Sequence, residues 1–287
     1  MARLNASMAC DTAFRVVARR CLRDLATNRE ATCEGDPTAL HQMRIALTRL
    51  RTVILFFSPM VTDSQRTQVR DELKWINAHL GAVRDLDVAI ERLGAVDKRQ
   101  APATPFYLSL KKKRADSHRL LARALRSARY QRLIEDTSDW VENGPWSIKR
   151  GKQATKERSC AVAVYGTEKL AGWQQKLLKK SRKLMELDVE KRHRLRLLNK
   201  KLSYSIEALE DLFSDESFSG QQAALKQLRK AQRSLGQLND DARGHALAAT
   251  LQRDGADAHF QFLSSKREKR LLRTAATAYR KLAALKK

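Results

Sequence analysis

HQMRIALTRLR (residues 41–51) sets one histidine and three arginines among apolar side chains, and HRLRLLNKKLSY (residues 193–204) repeats the plan 152 residues later. On a helix turning by roughly 100° per residue, Arg44, Thr48 and Arg51 fall on the side of His41. Met43, Ala46, Leu47, Leu50, Ile54 and Phe57 form the opposite, apolar face, and Arg49 lies off the basic stripe toward its flank. In the second stretch Arg196, Lys200 and Tyr204 join His193, and Lys201 takes the place of Arg49. Leu195, Leu198, Leu202, Ile206 and Leu209 make its apolar face. Solvated helix faces usually mix Glu with Lys for pairing one turn apart. Neither stretch holds an acidic residue between its histidine and its last cation, so both faces read as surfaces for an anion.

The whole chain has the same sign of charge. Its 287 residues carry 57 Lys+Arg against 32 Asp+Glu, a formal net charge of +25. Such an excess repels itself in a folded protein until a polyanion neutralises it. Nucleic acid, an anionic membrane surface or a phosphate polymer would serve; a plainly basic, solvated surface is the blander alternative. A hydrophobic share of 43% suffices for a core, and abundant Ala, Leu, Lys and Arg with little Gly and Pro favours helices. Cys10, Cys21, Cys33 and Cys160 show no CxxC spacing and read as buried or idle thiols of a reducing compartment. The N-terminal stretch has no apolar core of signal-peptide length, and the longest apolar run, Val53–Phe57, is far too short to cross a bilayer. A cytosolic location with no membrane partner is therefore expected. His79, His118, His245 and His259 stand at no ligand spacing from either motif histidine, and HExxH is absent, so neither metal nor cofactor is expected.

Apolar residues recur at three- and four-residue intervals without sustained alternation, which predicts an all-α protein. Asp36-Pro37 predicts the cap and first turn of the His41 helix, and Ser58-Pro59 closes it. Leu80-Gly81 and Leu235-Gly236, 155 residues apart, predict helix ends, with Asp85 and Asp240 capping the helices that follow. Gln100–Phe106 and Ser214–Gly220 read as loops, and a basic helix runs from the first of them to about Arg129. A long helix is expected to about Leu187, after which Asp188 caps the His193 helix, which reaches Phe213. Glu142–Trp146 is the strongest break. Two landmarks per half, in the same order, predict a duplicated helical unit: a first half over residues 6–142, a linker over 143–153 and a second half over 154–287.

Further cations repeat with the motifs. Lys74 precedes Gly81 by seven residues as Arg229 precedes Gly236, and KKKRADSHR (111–119) has a counterpart in KREKRLLR (266–273). Arginine matches phosphate oxygens with a planar fork and lysine as a mobile point charge, while histidine adds a hydrogen bond that strengthens on protonation. Besides the two motifs, the candidate anion ligands are Arg15, Arg19, Arg23, Lys74, Arg84, Lys111, Arg114, His118, Arg229 and Arg273. Nucleic acid remains an alternative, although an aromatic share of 6% offers few stacking platforms and no groove-reading motif is present. An enzyme acting on phosphates normally needs carboxylates, an activated nucleophile or a Gly-rich phosphate loop. The basic stripes hold none of these, and their arginines explain the histidines as ligands without chemistry, so no catalytic residue is assigned.

LHQMRIALTRLR, LGAVRDLDV, KRHRLRLLNKKLSYSIE and LGQLND together resemble the conserved histidine α-helical domain, or CHAD, family, from about residue 6 to the C-terminus. The resemblance implies two four-helix-type bundles related by an internal pseudo-two-fold duplication, with a basic cavity and surface between them. It further implies binding of inorganic polyphosphate and association with polyphosphate granules in the cytoplasm. It places His41, Arg44, Arg49 and Arg51 in the first histidine motif, and His193, Arg196, Lys200, Lys201 and Tyr204 in the second. Arg84-Asp85 and Asn239-Asp240 fall on a further pair of matched positions, the aspartates as helix caps. Thr48 and Ser203 stand where the family often has Arg, which implies weaker binding per site. Many relatives also carry an N-terminal domain with an ExExK signature, which these residues lack.

Overall fold

The His41 helix starts as its sequence requires. Pro37 occupies the first turn, and the Asp36 carboxylate accepts the Thr38 N–H at 2.7 Å. The computed structural model describes residues 3–96, 105–212, 215–253 and 263–285. Within them the chain is helical, apart from turns and one isolated antiparallel bridge between Ala9 and Ala161. Helices α1 (Cys10–Thr27), α2 (Arg29–Glu34), α3 (Pro37–Phe56) and α4 (Arg66–Val96) are followed by α5 (Pro105–Arg126), α6 (Ala128–Asn143), α7 (Pro145–Ile148) and α8 (Lys152–Ser159). Then come α9 (Val162–Ser181), α10 (Val189–Ala208), α11 (Asp215–Arg253) and α12 (Ser265–Ala284). The chain forms two compact units, Met1–Tyr165 and Gly166–Lys287, and residues 143–153 hold α7 and the first residues of α8. In the first unit α1 lies on α3, α3 on α4 and α4 on α5, with α6 against α1, α4 and α5; in the second, α11 packs between α10 and α12. No described helix is long and apolar enough to cross a membrane.

Several expected boundaries are overturned. Helix α4 runs through Leu80-Gly81 and Asp85, and α11 through Leu235-Gly236 and Asp240. These glycines are therefore not stops, and the aspartates cap nothing. Leu73, Ile76, Leu80 and Val83, like Leu228, Ala231 and Leu235, are buried in an unbroken stripe. Burying such a stripe outweighs the roughly 1 kcal/mol that a mid-helix Gly costs. Left-handed backbone occurs among the described residues only at Gly35 (φ 97°) and Gly151 (φ 124°). Residues 215–220 are the first turns of α11 and not a loop. The basic helix stops at Arg126, because Ser127 caps α6 by accepting the Tyr130 N–H. Helix α9 ends at Ser181, and one 3₁₀ turn, Leu184–Glu186, precedes Asp188, whose carboxylate accepts the Lys191 N–H at 2.7 Å. The His193 helix stops at Ala208; Phe213, Ser214, His259 and residues 100–104 of the first expected loop lie outside the described residues.

One carboxylate organises the first unit. Phe14 meets Phe57, Trp140 and Trp146 edge-on at 5.8, 5.9 and 5.3 Å, in a core where all four rings are at most 1% exposed. Buried indoles need an acceptor for N–H. Trp140 Nε1 donates to Asp63 Oδ2 at 2.9 Å and Trp146 Nε1 to the Trp140 carbonyl at 2.8 Å. Asp63 also accepts the backbone N–H groups of Trp146, Gln65 and Arg66, so it caps α4 while tying α6 and α7 to it.

Candidate functional site

Both motif helices present the faces the sequence predicts. Met43, Ala46, Leu47, Leu50, Ile54 and Phe57 are buried, as are Leu195, Leu202, Ile206 and Leu209, with Leu198 half-buried. The stripe of His41, Arg44, Thr48 and Arg51 therefore flanks the core of α3. Arg44 fixes where that stripe meets α4: its Nη1 donates to the Leu80 carbonyl at 3.1 Å. A Cβ at Gly81 would stand 3.3 Å from the same nitrogen. Gly81 thus serves close approach of the guanidinium rather than helix termination. Joined by a short connection, α3 and α4 form an antiparallel hairpin. Counting in opposite directions from the Arg44–Gly81 contact, an ideal antiparallel hairpin would set His41 level with Arg84, Thr48 with Asn77 and Arg51 with Lys74. The result is a cationic seam.

Ion-pair partners decide what this seam can do. Arg51 is half-buried, and burial pushes its guanidinium pKa below the ordinary value. Arg51, half-buried Arg84 and exposed Lys74 have no hydrogen-bond, ion-pair or ring partner among the described residues. A desolvated cation without a counter-charge is costly, and an incoming anion would relieve that cost. The Thr48 hydroxyl is used within its own helix, donating to the Arg44 carbonyl at 2.7 Å.

In the second unit the corresponding hairpin is α10–α11. His193 Nδ1 bonds Asn239 Oδ1 at 2.6 Å, which matches the levelling of His41 with Arg84. The amide oxygen accepts, so Nδ1 carries the hydrogen. The same register sets Arg196 level with Gly236, Lys200 with Gln232 and Ser203 with Arg229. Acids from neighbouring helices neutralise this copy: Arg229 pairs with Glu207 at 2.9 Å and Arg192 with Glu268 at 2.6 Å. A 250 Å³ cavity beside His193 includes Asn239, His245 and the carboxylates of Asp241 and Glu268. Lys200 lies over the Tyr204 ring at 5.4 Å, and Tyr204 is itself buried. The second copy is thus the less cationic of the two.

The CHAD-domain family profile matches residues 16–249, a span containing both histidine hairpins. The chain belongs to the CHAD-domain family. Its fold is similar to the crystal structure of the CHAD domain from the plant Ricinus communis: TM-score 0.76, 24% identity, covering 99% of this chain and 88% of that one. It is also similar to PptA from Streptomyces chartreusis: TM-score 0.61, 16% identity, covering 97% of this chain and 96% of that one. A search of curated protein sequences found no match.

Several expected ligands of this CHAD domain also have partners within the protein. Arg15 donates to the Glu142 carbonyl and to Asp11, and stacks over Trp146 at 4.9 Å; Arg19 forms a two-pronged pair with the Glu142 carboxylate. Arg114 Nε donates to Asp87 at 3.0 Å, the two side chains being 27% and 11% exposed. His118 Nε2 donates to the Thr32 carbonyl at 3.1 Å beside Gly35, closing the α2–α3 turn. Lys111 lies over Tyr107 at 5.1 Å, while Arg23 and Arg273 are exposed on α1 and α12. Arg49 is half-buried on the flank toward α1, where its charge acts on the Cys21 thiol. Lys201 is half-buried on α10.

Sequence reasoning missed Asn199, fully buried in the apolar face of α10, whose Nδ2 donates to the Leu228 carbonyl at 3.1 Å. An amide at the position of Leu47 in the first motif was the available signal. It also missed an open 580 Å³ groove whose lining includes Glu72, Arg129, Arg132, Asp136 and Asp139. Three carboxylates against two guanidiniums make that groove a poor seat for a polyanion. Among the described residues no group of three or more His, Cys, Asp or Glu could hold a metal ion.

Proposed function

We propose that this CHAD domain binds inorganic polyphosphate along its histidine hairpins, acting as a binding module rather than an enzyme. The observation that carries the reading is the α3–α4 seam, where Arg51, Arg84 and Lys74 lack a protein partner among the described residues. A linear polymer of phosphates needs charge at intervals and no base recognition. Cations spaced by one or two helical turns on two antiparallel helices supply it, and counterion release adds to affinity as it does for nucleic acid. The like offsets of the two hairpins support an internal duplication in which the second copy contributes more weakly. Association with polyphosphate granules follows as the cellular consequence.

The test is a calorimetric titration with long-chain polyphosphate, orthophosphate and duplex DNA at matched salt. Polyphosphate should bind with an affinity that falls steeply as salt rises, orthophosphate should bind far more weakly, and DNA should lose the competition at equal negative charge. DNA winning at physiological salt would replace this reading with nucleic-acid binding.

A further inference from the structure

The Ala9–Ala161 bridge places two thiols together that are remote in sequence. On one side of it the Cys10 N–H donates to the Cys160 carbonyl at 3.0 Å, and on the other the Val162 N–H donates to the Met8 carbonyl at 2.8 Å. Cys10 and Cys160 therefore stand opposite one another across an antiparallel pair. Facing residues of such a pair have Cα atoms roughly 5.5 Å apart and side chains on the same side, within the roughly 4.4–6.8 Å span that a disulfide bridges. The Cys160 side chain is close enough to act on the Cys10 thiol. Cys10 is buried at 1% exposure, whereas Cys160 is part-exposed. Cys21 and Cys33 are also buried, but charged groups rather than a second thiol act on them.

We propose that Cys10 and Cys160 are a redox pair whose oxidation to a disulfide staples the start of α1 to the segment leading into α9. The accessible Cys160 thiolate attacks one sulfur of a small-molecule disulfide such as glutathione disulfide, forming a mixed disulfide and releasing one thiolate. The Cys10 thiol then loses its proton and attacks the Cys160 sulfur. The second reagent thiolate departs and takes up that proton. Two protein thiols are oxidised to one disulfide, and the reagent disulfide is reduced to two thiols. Burial first, and the neighbouring Cys160 second, push the Cys10 pKa up to about 12, which makes the second step the slow one and keeps the pair reduced in a reducing compartment. The bond would tether α1, which packs on α3 beneath the first histidine motif.

The experiment treats the full native chain with glutathione disulfide, counts free thiols after denaturation, and maps the bond by mass spectrometry of peptides. The expected result is the loss of two of the four thiols, two hydrogens fewer per chain, a Cys10–Cys160 cross-linked peptide, and a higher unfolding temperature reversed by dithiothreitol. Cys160→Ser, at a part-exposed position, should fold, keep all its thiols free of intramolecular bonding and show no such rise. Cys21→Ser should lose two of its three thiols to the same Cys10–Cys160 bond and show the same oxidation-dependent rise in unfolding temperature relative to its own reduced form. Four titratable thiols after treatment, a persistent mixed disulfide on Cys160, or a bond mapping to Cys21, Cys33 or a second chain overturns the inference.

Discussion

Replacing Arg51 by Gln separates binding from folding, and Arg114→Gln is its mirror image. Arg51 is half-buried, has no partner among the described residues, and has its pKa lowered by burial alone. Folding therefore works against this charge, and removing it should leave the unfolding temperature unchanged or raise it. A fully formed charge-assisted contact to a phosphate oxygen contributes about 1.5–3 kcal/mol, so its loss should weaken binding of a short polyphosphate by roughly 10- to 150-fold. Arg114 is the reverse case. It is the only partner of Asp87 among the described residues, and Asp87 Oδ2 is already buried without one. Stranding that carboxylate costs on the order of 3 kcal/mol, or about 6–12 °C for a unit of this size. Binding by the folded fraction should change little. Differential scanning calorimetry and isothermal titration on both variants read the two effects directly. The reasoning is refuted if Arg51→Gln melts several degrees lower with its affinity intact, or if Arg114→Gln, still folded at the titration temperature, loses as much affinity as Arg51→Gln.

Gly236→Ala should stabilise the protein by up to about 1 kcal/mol in chemical denaturation, since a Cβ there meets nothing within 4 Å; a helix-stop glycine would respond with the opposite sign. Gly81→Ala should gain less, and should weaken polyphosphate binding in a titration, because its Cβ presses on Arg44. Asp63→Ala should cost about 2–4 kcal/mol, from a lost cap and stranded donors, with a red-shifted tryptophan emission reporting loosening around Trp140. Glu72 is held below its ordinary pKa of 4.5, chiefly by its hydrogen bond with Arg129. A depressed carboxylate stabilises the fold above its unfolded pKa and loses that stabilisation as pH falls through the folded value. Glu72→Gln should therefore lower the melting temperature above pH 4.5, and match the wild type in more acid solution.

The sequence by itself determined the helical class, the His41 and His193 helices with their caps, and which face of each is buried. These follow from periods and short-range hydrogen bonds: Asp36 reaches Thr38, Asp188 reaches Lys191, and both are complete within one turn. Tertiary contact decided the rest. Gly81 and Gly236 looked like stops because a glycine lowers local helix propensity, yet continuous burial of Leu80, Val83 and Leu235 carries both helices through. The sign of charge on the motif faces was legible, but not which cations keep it. The acids that neutralise Arg19, Arg114, Arg192 and Arg229 lie 123, 27, 76 and 22 residues away, beyond any local pattern. The first copy stays cationic because no such acid reaches Arg51, Arg84 or Lys74 among the described residues, whereas Glu207 and Glu268 pair with Arg229 and Arg192 in the second. Composition counts charges, but only packing pairs them.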